Sequence, residues 1–380
     1  EFTGRILLIS NESSLPYDRP KLSKVMDAKP EAVHLRTQQF YDDNHIEVMT
    51  GNSVTSLDSK SKEISLGNGT KIKFDKIYIA TGSTARKVSI PGANLKNVFV
   101  LRSIKDANEI NAEMNETCHV VILGVSFIGM EAAAFCVKKA AKVTVIGRDK
   151  FPLRAFGNEI GERIMKFFEE QKVEFLMMNG VKECVGNANG SIESVVLNDG
   201  SKLKADVLIM GTGTTLNTEF LKDSGIMINQ NGSIDTDEHL QSNIPDVFVG
   251  GDIANSPIYT GNRETIGHYG LAQLHGKVAA LNMCGKEEKL KVVPYFWTMV
   301  FGRSIRYAGS GKAKEVKIEG SLEEMKFVAY YIGDDDKVIA ISSCNRDPIV
   351  SQFAEYMTQG KSIYKKDIES NPFGWVQNIH

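Results

Sequence analysis

The sequence predicts an α/β fold with an α+β region at its C-terminal end, and three observations carry that prediction. The run HVVILGVSFIGMEAAAF (119–135) is an apolar strand, a glycine turn and then a helix. The run IPDVFVGGD, ending at Asp252, is a second apolar strand that stops at Gly-Gly-Asp. From about residue 290 the texture changes to alternating segments such as KFVAYYIGDDDKVIAISS, the pattern of an antiparallel hairpin.

A strand that feeds a glycine turn and a helix sets a dinucleotide pyrophosphate on the helix N-terminus, where free N–H groups and the positive dipole end face the phosphates. Gly124, Ser126 and Gly129 hold the three positions of the glycine fingerprint, with Phe127 and Ile128 before the third and Ala133 where a small residue packs helix on strand. Ser126 stands at the middle position, where it is small enough for close approach and its hydroxyl can reach a phosphate. A buried glycine-rich crossing is the bland alternative; the flanking strand–turn–helix pattern favours a nucleotide. Asp252 ends its strand as an acid able to hydrogen-bond a cofactor hydroxyl. Two such signals in this order suggest two nucleotides, a flavin and a nicotinamide, and hence two Rossmann-like nucleotide-binding domains.

The totals are compatible with this. The 380 residues are enough for two or three domains with proper cores. Lys+Arg is 45 and Asp+Glu is 47, a net charge of -2, so there is no basic bias to point to nucleic acid as the main partner. No apolar run approaches the ~20 residues needed to cross a bilayer, and no signal-peptide pattern is present. Cys118, Cys136, Cys184, Cys284 and Cys344 show neither CxxC nor zinc-ligand spacing. They read as reduced thiols, which suggests an intracellular protein, cytoplasmic or mitochondrial.

The remaining elements follow in order. Residues 5–9 read as a buried parallel strand, with Glu12 just beyond it. A βαβ unit places a strand, a glycine turn and a helix before such a strand, so the chain reads as starting after the first turn of its first domain. Glu12 is then either the acid that holds a ribose or a solvated loop acid, and both readings stand at this stage. Residues 31–42 suggest a helix. Short strands with Asn-Gly turn chemistry follow, and IYIATGS (77–83) ends at Ala80, Thr81 and Gly82. Residues 104–116 read as a helix. Strand 119–123, helix 127–139 and strand 142–146 form a βαβ unit, followed by helix 158–171, strand 173–178 and a hairpin-like stretch. DVLIMGTG (206–213) is a strand ending at Gly213. Helices are expected at 266–284 and 348–359. The three aspartates 334–336 read as a solvated hairpin tip rather than a cation site.

The strand KVTVIGRDK ends at Gly147, where an acid is expected to hold the ribose of NAD. Arg148 and Lys150 beyond it can meet a 2′-phosphate or can be solvated cations. Losing the acid and gaining the cations predicts relaxed choice between NADH and NADPH. LPYDRPKLSK (15–24) is a proline-stiffened loop carrying Arg19 and Lys24. Tyr269 and Trp297 are aromatics that read by themselves as core or interface.

LPYDRPKLSK, YIATGS, VILGVSFIGMEAA, IPDVFVGGDIA and VPYFWTMVFGRSIRYAG together resemble, in order and over nearly the whole chain, the flavin-dependent ferredoxin reductases of the pyridine nucleotide–disulfide oxidoreductases, and among them the apoptosis-inducing factor 3-like branch. The resemblance implies FAD and NAD(P)H as cofactors. It implies that Arg19, Lys24, Val54, Ala80, Thr81, Gly82, Asp252, Tyr269 and Trp297 lie at the FAD. It also implies that Glu131 is an acid near the nicotinamide, able to pair with Lys24. The domains it implies are a first FAD part at 1–98, an NAD(P) domain at 99–220, a second FAD part at 221–285 and a C-terminal reductase domain at 286–380. The activity implied passes a hydride from NAD(P)H to FAD and electrons to an iron–sulfur protein or a fused Rieske domain. Two alternatives stay open: a cell-death signalling factor with a structural flavin, and a truncated nucleotide-binding pseudoenzyme.

Overall fold

The computed structural model describes residues 2–379. The described residues form two compact units, one of residues 2–19, 29–84 and 215–294, the other of residues 20–28, 85–214 and 295–379.

The second unit contains a five-stranded parallel sheet in the order Val173–Leu176, Lys142–Ile146, His119–Leu123, Val207–Met210, Val98–Val100. Its central strands are mostly apolar because both faces are covered, one of them by the antiparallel sheet Val181–Gly186, Ile192–Leu197, Lys202–Lys204, whose Val181, Cys184, Ile192, Val195 and Leu197 pack on Val121, Leu123, Leu208 and Met210. Val120, Val121, Ile122, Val143, Val145, Val207 and Leu208 are all buried. In register, Val120 lies beside Val143 and Val207, and Ile122 beside Val145 and Ile209. This is the doubly wound order, in which the first βα turn lies at the carboxyl end of a middle strand. The helix Asn158–Glu170 buries Ile160, Ile164, Phe167 and Phe168 along one stripe. The helix Ile104–Ala112 starts at a capping box, Ser103 with Asp106.

The same unit carries a five-stranded antiparallel sheet in the order Tyr295–Val300, Arg303–Gly309, Val338–Cys344, Lys326–Ile332, Glu315–Ser321. The helix Ile349–Thr358 buries Ile349, Val350, Phe353, Tyr356 and Met357. The aspartate run forms the tip of the expected hairpin. Asp335 Oδ1 accepts the N–H of Lys337 at 3.2 Å, and Gly333 N–H donates to Lys337 O at 2.8 Å.

In the first unit Ile6–Ile9 pairs in parallel with Ile46–Met49, and Ile77–Ile79 with Val247–Val249. A three-stranded antiparallel sheet, Val54–Asp58, Glu63–Leu66 and Lys71–Lys73, adds Leu57, Ile64 and Leu66 to a core shared with Ile79, Leu221, Val247 and Val249.

Several expected boundaries move. The helix expected at 31–42 is two short ones, Pro30–Val33 and Gln38–Asp43. His34 turns extended to bridge Tyr17, and Thr37 caps the second helix by accepting from Phe40 N–H. The helix expected from 266 begins at Tyr269, because Arg263–Thr265 pairs as a strand with Asn255–Pro257. The short helix Lys365–Ser370 has no counterpart in the sequence reading. Cys118, Cys136, Cys184 and Cys344 are buried and Cys284 is exposed. Burial pushes the Cys136 and Cys344 thiols up to about 12 and Cys184 to about 11, which makes them poor nucleophiles.

Candidate functional site

In the second unit the strand His119–Leu123 runs through Gly124, Val125 and Ser126 into the helix Phe127–Cys136. Gly124 has φ +122°, and a Cβ there would lie 2.2 Å from Gly211 O. A Cβ on Gly129 would lie 2.1 Å from Gly124 O. Both positions are therefore closed to any side chain, and helix packs on turn at backbone distance. Ser126 and Ile128 are exposed and Phe127 is half-buried at the helix start. The Ser126 side chain makes no capping bond, which leaves its hydroxyl and the first helical N–H groups to a ligand. These residues fit a dinucleotide pyrophosphate.

Gly147 ends the next strand, as expected, but for a packing reason. A Cβ there would meet Val125 Cγ1 at 2.5 Å and Met177 Cε at 3.1 Å. Arg148 and Lys150 beyond it are exposed, and Lys150 lies 5.2 Å from the Phe151 ring centroid. Gly213, at φ +93°, accepts the Arg86 N–H at 2.9 Å.

Lys24 and Glu131, 107 positions apart, meet at 2.8 Å. Glu131 is buried in the helix that begins at the glycine turn. Its carboxylate also accepts from Ser23 Oγ and Thr298 Oγ1, both buried. Lys24 lies in the segment 20–28, which Lys139 holds by bonds to Asp27 Oδ2 at 2.7 Å and Asn111 Oδ1 at 2.8 Å. Trp297 precedes Thr298 on the strand Tyr295–Val300 and is 51% exposed.

In the first unit Arg19 donates to Glu12 Oε1 and to the Tyr17 hydroxyl, each at 2.6 Å, and Tyr17 donates to Glu12 Oε2. Glu12 is thus neither a solvated acid nor a lone one: both its oxygens serve this loop. Burial pulls the Arg19 guanidinium down, while its bond to Glu12 and the charges of Glu12, Tyr17 and Asp252 outweigh that and hold it above the usual arginine range. Asp252 Oδ2 accepts from Ser83 Oγ at 2.7 Å. The N–H of Gly251 donates to His275 Nδ1 at 3.1 Å, so a buried imidazole fixes the turn that carries the acid. Burial holds His275 neutral, down to about 4.

Ala80 and Thr81 are exposed at the end of Ile77–Ile79. Thr81 Oγ1 donates to Asn217 O at 2.6 Å, and Gly82 O accepts the Asn217 N–H. Val54 is half-buried and packs on the core of its own small sheet. Tyr269 opens its helix and accepts from Gln273 Nε2 at 3.2 Å. A charged arginine and a supported acid on adjoining loops offer a donor to phosphate and an acceptor to polyol hydroxyls.

Sequence reasoning missed Ser23, Ser83, Asn217, His275 and Thr298. Ser23, Ser83 and Thr298 lie within the runs LPYDRPKLSK, YIATGS and VPYFWTMVFGRSIRYAG, beside residues that were singled out; Asn217 and His275 carry no local signal.

The pyridine nucleotide-disulphide oxidoreductase family matches residues 1–276. Human apoptosis-inducing factor 3 is 40% identical over 97% of this chain and 61% of its own length. The chain therefore spans about three-fifths of that relative. The ferredoxin–NAD(+) reductase subunit of the benzene 1,2-dioxygenase system of Pseudomonas putida is 32% identical over 81% of this chain and 75% of its own. A ferredoxin reductase from Rhodopseudomonas palustris superposes with a TM-score of 0.94 at 25% identity, covering 100% of this chain and 94% of that one. The glycine turn, the aspartate in the turn Gly251–Ile253 beyond the strand Val247–Val249 and these likenesses agree: the chain belongs to the pyridine nucleotide-disulphide oxidoreductase family.

Proposed function

We propose that the protein is an NAD(P)H-dependent FAD oxidoreductase that passes electrons to an iron–sulfur protein of the ferredoxin kind. The observation that carries this reading is the Lys24–Glu131 pair, its carboxylate buried and its ammonium partly exposed, set one turn along a helix whose first residues form a dinucleotide turn. A carboxylate is costly to bury even beside an ammonium, and the place of Glu131 on that helix gives the cost a purpose. When bound, the nicotinamide supplies a hydride and the flavin turns it into single electrons.

The protein's own residues bind and orient. Gly124, Ser126, Phe127, Ile128 and Gly129 receive the NAD(P)H pyrophosphate. Arg19 offsets phosphate charge of FAD, Asp252 holds its polyol chain, and Ala80, Thr81 and Gly82 line the same cofactor. Glu12, Val54 and Tyr269 support its adenosine and ring contacts, with Gly213 and Trp297 assigned to the nicotinamide end. The FAD domain is residues 1–98 and 221–285, the NAD(P) domain 99–220 and the C-terminal reductase domain 286–380. Relatives named as reductases of ferredoxin and rubredoxin support the acceptor class. The reading places the protein inside the cell, in cytoplasm or mitochondrion. The likeness to a protein named apoptosis-inducing factor 3 supports a second reading, a cell-death factor whose flavin is structural.

Anaerobic titration of the purified full-length protein separates the two. Bleaching of the flavin band by NADH or NADPH, followed by reduction of an added ferredoxin, is expected. A flavin that neither nucleotide reduces would leave the structural reading. Nucleotide choice follows from Gly147 and its neighbours. Val125 excludes a carboxylate that would repel a 2′-phosphate, while Arg148 and Lys150 attract one. NADPH is expected to be used at least as well as NADH, and Arg148→Ala should shift the kcat/KM ratio toward NADH by about threefold or more. A strong preference for NADH that Arg148→Ala leaves unmoved would overturn this.

A further inference from the structure

We infer that Ser23 and Thr298 are positioning residues that clamp the Glu131 carboxylate between them and so fix the Lys24 ammonium. The inference rests on the oxidoreductase reading for its functional consequence, but the clamp itself is a property of the second unit alone.

Glu131 Oε2 accepts from Ser23 Oγ, and Oε1 accepts from both Thr298 Oγ1 and Lys24 Nζ. The three donors come from two stretches remote in sequence, the segment 20–28 and the strand Tyr295–Val300. The side chains of Ser23 and Thr298 are 2% exposed, so water cannot replace either hydroxyl. A buried carboxylate with one ammonium partner would keep unsatisfied lone pairs; two hydroxyl donors satisfy them.

The geometry also fixes direction. Lys24 has a four-carbon stem and three donors. One reaches Glu131 Oε1 at 2.8 Å and one reaches Pro20 O at 3.1 Å. The third is left for a ligand, and the side chain retains 24% exposure through which a ligand can reach it. Remove a hydroxyl and the carboxylate can swing, taking its ammonium with it. Thr298 lies between Trp297 and Met299, which point outward from the same strand at 51% exposure each. The clamp therefore ties the outward register of that strand to the position of Lys24.

Thr298→Val keeps shape and removes the hydroxyl; Thr298→Ser restores it; Ser23→Ala tests the other jaw. In each full-length variant, acetylation of Lys24 by acetic anhydride is measured by peptide mass spectrometry against exposed Lys60. Flavin reduction by NADH and NADPH is followed by stopped flow. Thr298→Val and Ser23→Ala should raise Lys24 acetylation by about fivefold. The limiting reduction rate should fall about tenfold while the nucleotide Kd stays within about twofold, because misplacing a reacting group costs rate rather than binding. Thr298→Ser should return both readouts to wild type. Lys24 acetylation unchanged in both Thr298→Val and Ser23→Ala would overturn the clamp, even if reduction slowed. A wild-type flavin reduced by neither nucleotide would sink the oxidoreductase reading and leave acetylation to decide the clamp. If Thr298→Val does not fold, Ser23→Ala decides alone.

Discussion

The candidate nucleotide sites of the two units are built in opposite ways. In the second unit the candidate site is a contiguous run, Gly124 to Gly129, whose geometry follows from the absence of side chains. In the first unit it is a scatter of side chains, Glu12, Arg19 and Asp252, the first two holding one another and the third held by Ser83. A backbone site depends on close packing and fails when something is added. A side-chain site depends on supporting hydrogen bonds and fails when something is removed.

Adding to the first kind should give the largest effect. Gly129→Val places carbon where Gly124 O already stands at 2.1 Å. The helix must move off the strand, at a cost of about 3 kcal/mol or more. The denaturant midpoint of the protein should fall accordingly and nucleotide binding with it. A variant that keeps both would show that the turn is less tightly packed than it stands.

Removing support from the second kind works through His275. Its folded-state value is lowered from 6.5 to about 4, by burial. The unfolded chain therefore takes up a proton that the folded chain refuses between those two values. The stability due to neutral His275 is present above pH 6.5 and is lost as pH falls toward 4, by about 3 kcal/mol. The same proton would occupy Nδ1, where Gly251 N–H now donates, and so release the turn beside Asp252. His275→Asn should lower stability at neutral pH and flatten the loss between pH 6.5 and 4. An unchanged slope in thermal melts across that window would assign the acid loss elsewhere.

Asp252→Ala carries the smallest expected cost to the fold. It deletes one acceptor from Ser83 Oγ, worth about 1 kcal/mol. Bound flavin, measured from absorbance of the full-length protein, should fall well below that of wild type. Full flavin content in a stably folded variant would remove Asp252 from the cofactor site and leave the first unit's site resting on Arg19.

What the sequence determined by itself was local. HVVIL, KVTVI and VLIM are apolar runs that only a doubly covered parallel sheet can bury, and they form one. Gly124, Ser126 and Gly129 mark a turn because a short stretch of backbone must approach itself, and spacing alone encodes that. The alternation from residue 326 to 344 became a hairpin for the same reason. The break between Val33 and Gln38 was less legible, since it depends on His34 finding Tyr17.

Tertiary structure decided who meets whom. Lys24 and Glu131 were paired through a family likeness, yet nothing in a serine and a threonine 275 positions apart announces that both will close on the carboxylate between them. Gly147 looked like a missing acid and proved to be room for Val125. Glu12 read as a solvated loop acid or a ribose ligand, and its engagement by Arg19 and Tyr17 removes the first of these. Periodicity is a property of neighbours along the chain, so it survives in one dimension. The partners of a buried polar group are neighbours only in space, and many serines and acids in a sequence satisfy the same chemistry until packing chooses among them.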